Sequence, residues 1–301
     1  MISKQEIKIR SDIPQLVDVL PPTGEPLGVQ DYLNYGNIGT NKQIANLADK
    51  LVFARERFEQ WTGQRVLTQT LDQIVDYDPR NNPNGIPFYI SEAVGEIRLR
   101  ASPVRSIVYI YVRDPFGVET LVDPLVYILQ TVRDPYALLT VQLGKVWPGV
   151  LRDIQAIRIR TISGYATPIT SIDTSTGIIT APGHPYQDGD LVNFSMSYGL
   201  GSVPPTMPAG LSAYTNYYAL APSGDTLQVS TTLDGSPVAI TTQGSGQIFA
   251  GRIPKQILRG IMITAAADLN KDESDESSSE SAQDIPKKAR QMWRRYKRSW
   301  V

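Results

Sequence analysis

Histidine occurs once, at His184, and cysteine does not occur. A Ser-His-Asp relay would have to run through that single imidazole, thiolate nucleophiles are excluded, and a histidine-based metal site could draw on one ring only. His184 lies in Pro182-Gly183-His184-Pro185, and this composition reads as a turn rather than a ligand set. Gly39-Thr40-Asn41-Lys42 ends like a phosphate loop, but the upstream glycine of G-x-x-x-x-G-K-[ST] is missing and no strand pattern precedes it. Asp and Glu number 30, yet none is set by its sequence neighbours in the apolar surroundings that would raise its pKa for acid catalysis. Residues 271–280 are acidic and serine-rich without the carboxylate spacing or glycine of a calcium loop, so they read as a solvated or disordered linker. Catalysis, a metal and a cofactor are therefore not expected.

The conspicuous chemistry is that of recognition. In residues 286–301, Ala289, Trp293, Tyr296 and Trp300 line one helical face, and Lys287, Lys288, Arg290, Arg294, Arg295, Lys297 and Arg298 cover the rest. This is an aromatic seam inside a basic sheath. Bulk composition points to no partner of its own: 41% hydrophobic, 20% charged and a formal net charge of -1 suit a soluble globular chain, and neither nucleic-acid basicity nor a membrane-spanning window is present. The opening residues lack the apolar run of a signal peptide. A length of 301 residues predicts two folded units.

The elements that position these residues follow from periodicity. Pro14, Pro21, Pro22, Gly24, Pro26 and Gly28 make residues 1–28 an extended arm, and a short helix follows around residues 29–35. Thr40 and Gln43 have capping-box spacing. Ile44, Leu47, Ala48, Leu51, Val52, Phe58 and Trp61 then form a helical stripe, Lys50, Arg55, Arg57, Glu59 and Gln60 fall mostly outside it, and Thr62-Gly63 stops the helix. Residues 64–92, with Asp-Pro, Asn-Pro, Asn-Gly and Ile-Pro pairs, read as a long exposed loop.

From residue 95 the period becomes two. Strands are expected at 97–100, at 106–112 with a hairpin through Asp114-Pro115-Phe116-Gly117 into 118–122, at 127–130, at 137–142 and at 154–162. These make a small antiparallel sheet. Residues 166–251 interrupt the chain with short strand candidates at 169–173, 177–180, 190–195, 214–221, 226–231 and 237–240, which suggests an all-β sandwich or barrel. Pro254 then opens a helix whose stripe is Ile257, Leu258, Ile261, Met262, Ala265 and Leu269.

Several phrases recur in an informative order. Glu25-Pro26-Leu27, the run from Ala54 through Arg55, Glu56, Arg57, Phe58, Glu59, Gln60, Trp61 to Thr70, and Ala101-Ser102-Pro103-Val104-Arg105-Ser106-Ile107 together resemble the head-tail connector, or adaptor, proteins of long-tailed bacteriophages. Tyr127-Ile128-Leu129, Trp147-Pro148 and Gly164-Tyr165 are similar to the middle of that family, and Ile253-Pro254-Lys255 and residues 289–298 to its end. The arginine of Thr62-Gly63-Gln64-Arg65 comes one place late. In the insert, residues 181–190, 211–218 and 225–232 resemble small β modules of phage tail and virion proteins.

The resemblance implies an α+β chain. It would have a helical-bundle adaptor core with a small antiparallel sheet, divided between residues 29–165 and 252–301, with 270–284 as flexible linker, 285–301 as docking helix and 166–251 as the inserted all-β domain. It implies a structural virion protein of the neck at the portal vertex, made in the host bacterial cytoplasm. The partners implied are other copies in a ring, twelve in that family, the portal protein, the next neck or tail-completion protein, and DNA passing without sequence-specific binding. Trp293, Tyr296, Trp300, Arg294, Arg295 and Arg298 are the expected portal-docking residues, unless the helix folds back on its own bundle or its arginines face DNA. Arg55, Glu56, Arg57 and Glu59 are the expected inter-subunit residues, unless they form a solvated flank. The alternative is a peripheral tail or baseplate protein whose insert binds a host glycan through Tyr186, Tyr198, Tyr214, Tyr217 or Tyr218.

Overall fold

The computed structural model describes residues 15–36, 46–75, 96–131, 137–145, 155–199, 201, 203–273 and 285–297. The chain divides into two compact units, Met1–Val19 with Thr70–Thr161, and Leu20–Gln69 with Ile162–Val301.

In the first unit the strands are β1 (Gln15–Leu20), β2 (Gln69–Val75), β3 (Glu96–Leu99), β4 (Val104–Arg113), β5 (Glu119–Leu121), β6 (Tyr127–Gln130), β7 (Ala137–Val141) and β8 (Ile157–Ser163). They make a five-stranded sheet in the order β1-β2-β8-β4-β5 and a three-stranded sheet in the order β3-β7-β6. The hairpin from β4 to β5 is antiparallel, pairing Tyr111 with Leu121 and Arg113 with Glu119. Alternation is clearest in β8, where Ile157 and Ile159 are buried while Arg158 and Arg160 are half-exposed. The inward residues gather with Val75, Ile97, Leu99, Ile110, Val112 and Leu139 into one core.

In the second unit the helices are α1 (Val29–Gly36), α2 (Leu47–Thr62), α3 (Lys255–Glu273) and α4 (Lys287–Trp293). The strands are β9 (Ala166–Pro168), β10 (Ser171–Asp173), β11 (Ile178–Thr180), β12 (Leu191–Ser197), β13 (Asn216–Ser223), β14 (Thr226–Ser230) and β15 (Gln247–Gly251), in one sheet ordered β10-β11-β14-β13-β12-β15-β9. Every neighbouring pair in it is antiparallel. β12 pairs through Leu191–Asn193 with β13 and through Phe194–Ser197 with β15, so one strand joins the two halves of the sheet.

Three expectations are corrected. The fold class is not that of a helical-bundle core with a small sheet: the chain is mostly β, with three sheets and four helices among the described residues. The helical stripes are real, but they occupy few turns compared with the strands. Residues 69–75 are not loop but a strand buried along most of its length. The turn-forming dipeptides all lie after residue 75, outside the described residues, as does the Thr40–Gln43 capping box. Finally, 237–240 forms no strand, while β9 and β15 were not expected. Val238 makes a single backbone bond to Val229 O (2.8 Å), and Ile240 is buried by packing rather than by a ladder.

Candidate functional site

The first, second, Gly164-Tyr165, Ile253 and C-terminal phrases of the resemblance meet in the second unit, whereas residues 101–107 and 127–129 belong to the first and Trp147-Pro148 lies outside the described residues. Leu47, Leu51, Ala54 and Phe58 repeat every three or four residues and put one face of α2 in the core with Ile257, Ile261 and Ala265 of α3 and Ala289 and Trp293 of α4. α2 ends where Gly63 takes the left-handed conformation (φ 72°) and its N–H returns to Glu59 O at 2.9 Å. α4 fills the remaining gap with its indole. Trp293 is 0% exposed, stands edge-on to Phe58 with ring centroids 5.0 Å apart, and donates Nε1–H to Ile257 O at 3.4 Å. Gly260 makes room for it: a Cβ there would meet Trp293 Nε1 at 2.1 Å.

Three charged residues of α2, Arg55, Arg57 and Glu59, face inward as well. Arg55 holds Glu25 through Nε (2.8 Å) and Nη2 (2.9 Å) and reaches Glu59 at 3.2 Å. Glu59 also accepts from Val66 N–H at 3.0 Å and from the Gln69 amide. Burial pushes the Glu59 carboxyl pKa up, against the opposing pull of Arg55 and Arg65. Arg57 binds both oxygens of Asp268 on α3, at 3.1 and 3.0 Å, and its guanidinium lies 4.3 Å over the Phe53 ring. These charges join Glu25, α2, the turn after it and α3.

The same unit locks the long sheet to α1. Asp31 accepts from Gly28 N–H at 2.8 Å and from Tyr198 N–H at 3.2 Å; burial raises its pKa, and these backbone bonds offset part of the rise. A Cβ on Gly28 would lie 1.4 Å from Gly199 O, so the two backbones are in direct contact. At the entry to the sheet, Thr68 N–H donates to Ala166 O (2.8 Å), Tyr165 N–H to Val66 O (3.2 Å) and Tyr165 OH to Gln64 Oε1 (3.0 Å).

Of the residues expected to dock, Trp293 and Tyr296 are core residues and the helix lies folded on its own bundle. Arg294 and Arg295 are exposed, with Arg295 bonded to Tyr296 OH. Trp300 and Arg298 lie outside the described residues. Of the residues expected between subunits, Arg55, Arg57 and Glu59 are buried in the pairs above, while Glu56 is half-exposed beside Arg55 at 3.7 Å. A groove of about 410 Å³ opens between Phe53, Arg57, Gln60, Trp61 and Ile285. Sequence reasoning did not single it out; Phe53, a large apolar residue outside the helical stripe, was the available signal.

The insert's tyrosines separate. Tyr217 is buried in the sheet core, its hydroxyl oxygen accepting from Ser212 N–H at 2.9 Å, and Tyr186 packs against that core. Tyr198 and Tyr218 are half-buried. Tyr214 is exposed, takes φ 62°, and lies beneath Arg252 (5.1 Å) and Lys255 (6.0 Å). His184 is buried, with Nε2 3.2 Å from Thr226 O and Nδ1 accepting from Tyr186 N–H at 3.3 Å. Burial lowers its pKa from 6.5. The unfolded chain therefore takes up a proton that the folded chain refuses. Stability is full above pH 6.5 and falls with pH until the lowered folded pKa is passed, with a slope of up to about 1.4 kcal/mol per pH unit. His184→Gln is expected to flatten that slope in urea titrations between pH 7 and 5; an unchanged slope refutes the assignment.

Among the described residues no cluster of three or more His, Cys, Asp or Glu could hold a metal, and no helix is long and apolar enough to cross a membrane. No family model and no curated protein matches the chain. It does align along nearly its whole length with chains from solved particles. For the neck of an empty gene transfer agent (GTA) particle with C6 symmetry, identity is 13%, coverage 95% of this chain and 97% of that chain, and TM-score 0.48. For the virion of the native gene transfer agent particle the values are 13%, 95%, 97% and 0.47. For the neck of the native particle with C12 symmetry they are 12%, 96%, 97% and 0.46.

Proposed function

We propose that this chain is a structural protein of the neck of a phage-like particle, where copies form a ring that connects the portal to the tail and surrounds the path of the DNA. The observation that carries the reading is convergence. Phrases far apart in sequence (Glu25, the α2 run through Gln69, Gly164-Tyr165, Ile253 with α3, and α4) were recognised by their order, and they pack on one another through the Glu25–Arg55–Glu59 bonds, the Gln64–Tyr165 bond and the Trp293 contacts. Segments spread from Glu25 to Tyr296 that share one core specify one architecture. The role is assembly and conduction rather than catalysis.

Native mass spectrometry of the intact chain, with and without its cognate portal, tests this. The expected result is a species at a fixed high multiple of 33.3 kDa, alone or on the portal. A chain that stays monomeric at about 100 µM, far above the roughly micromolar constants of weak specific assembly, and ignores the portal sinks the reading. Truncation at Asp284 is unsuitable for this test, because it removes Trp293 from the core and confuses unfolding with lost docking.

A further inference from the structure

Among the described residues, no strand pairs with the outer edge of β5 in the first unit. β5 closes one side of the five-stranded sheet, and Glu119, Thr120 and Leu121 are all exposed. Its backbone bonds show which groups are unused. Asp114 N–H donates to Val118 O (3.1 Å) and Val122 N–H to Ile110 O (2.8 Å), so positions 118, 120 and 122 turn toward β4. By the alternation of antiparallel pairing, Glu119 and Leu121 direct their N–H and C=O groups outward. Exposed apolar side chains lie on β5 and within four residues of it in sequence: Phe116 is 92% exposed, Leu121 56% and Leu125 68%. Leu143 is wholly exposed in a turn tied to Val126 through Gln142 N–H (2.8 Å). β5 contains no lysine, proline or bulge to blunt it, and such an edge is a template for another strand.

We propose that the edge of β5 receives residues 4–10 of a second copy, Lys4-Gln5-Glu6-Ile7-Lys8-Ile9-Arg10, as a sixth strand. The inference rests on the ring reading and names its lateral contact. Ile7 and Ile9 alternate with Lys8 and Arg10, the period of a half-buried strand. Charge is complementary at both ends: Lys4 and Arg10 are separated by roughly 20 Å of extended chain, and Asp114 and Asp123 bracket an edge of roughly 17 Å. The length of chain fits too. The described residues begin at Gln15, on β1 at the opposite edge of the same sheet. Residues 11–14 leave about 17 Å of chain between Arg10 and Gln15. Their own β5 lies about 19 Å away, across the sheet face, whereas a neighbour's β5 set beside β1 is met directly. Because the giving and receiving edges differ, the contact is heterologous and can repeat around a ring.

The absence of cysteine makes the test clean. Full-length chains carrying Leu121→Cys with, in turn, Glu6→Cys, Ile7→Cys, Lys8→Cys or Ile9→Cys are oxidised under native conditions and run on denaturing gels. The expected result is a ladder of multiples of the chain mass at alternate arm positions. A single-chain species of altered mobility overturns the second-copy occupant, and cross-linking no stronger than a Leu121→Cys/Ser175→Cys control overturns the docking itself. The native mass of the unsubstituted chain is read in parallel. A ring without a ladder sinks this inference and leaves the ring; a ladder ending at two chains keeps the edge contact and sinks the ring.

Discussion

Trp293→Ala is expected to destabilise the second unit by about 3–5 kcal/mol, a large share of the roughly 5–15 kcal/mol that holds a domain folded. The indole is fully buried between Phe58, Trp61 and the bare backbone of Gly260, so its removal leaves a cavity that rigid helices cannot close. Trp293→Phe keeps part of the volume but loses the bond to Ile257 O, and should cost less. Urea denaturation followed by circular dichroism gives the values. The experiment also decides between two roles for α4. A core residue lowers the midpoint whether or not a portal is present; a docking residue leaves the midpoint alone and abolishes portal capture. A loss under about 1 kcal/mol would return Trp293 to the surface role, since buried Trp truncations cost several times that.

Asp268→Ala is expected to cost about 3–5 kcal/mol, because it takes from the buried Arg57 guanidinium the carboxylate whose two oxygens bind it at 3.1 and 3.0 Å. The double replacement Arg57→Met with Asp268→Leu should recover most of that loss, and replacing a buried pair by apolar groups of similar volume can even stabilise. With Asp268→Leu and Arg57→Met as the matching single variants, four denaturation curves complete the cycle, and a loss in the double variant equal to the sum of the two single losses would mean that the pair contributes no coupling across α2 and α3.

These pairs explain why α2 was half legible. Its apolar stripe reads directly, but Arg55, Arg57 and Glu59 look like a solvated flank, because their partners Glu25 and Asp268 lie 30 and 211 positions away. β2 was missed for the same reason. Gln69, Asp72 and Gln73 break the apolar alternation, and only the fold brings them to Glu59, to Arg160 at 2.8 Å, and to the backbone of Arg98 and Arg100. Where order is local, the reading held: the turn at Asp114 caps itself through bonds to Phe116 and Val118 N–H, and the hairpin through β4 and β5 follows. The aromatic seam of α4 was recognised as a seam, but what covers it is Phe58 and Gly260, which no local pattern announces.

The separation of α2 from α3 sets a schedule for synthesis. About 190 residues part Thr62 from Lys255, and α2 and α3 share one core. At roughly 5–20 residues per second on the ribosome, α2 waits about 10–40 s for its cover. During that interval Leu51 and Phe58 have no α3 to lie against, while the seven-stranded sheet, encoded in the gap, can fold first. The order of birth is therefore sheet before bundle, and a chaperone that shields the nascent α2 face would raise the yield of folded chains more than one that acts after release.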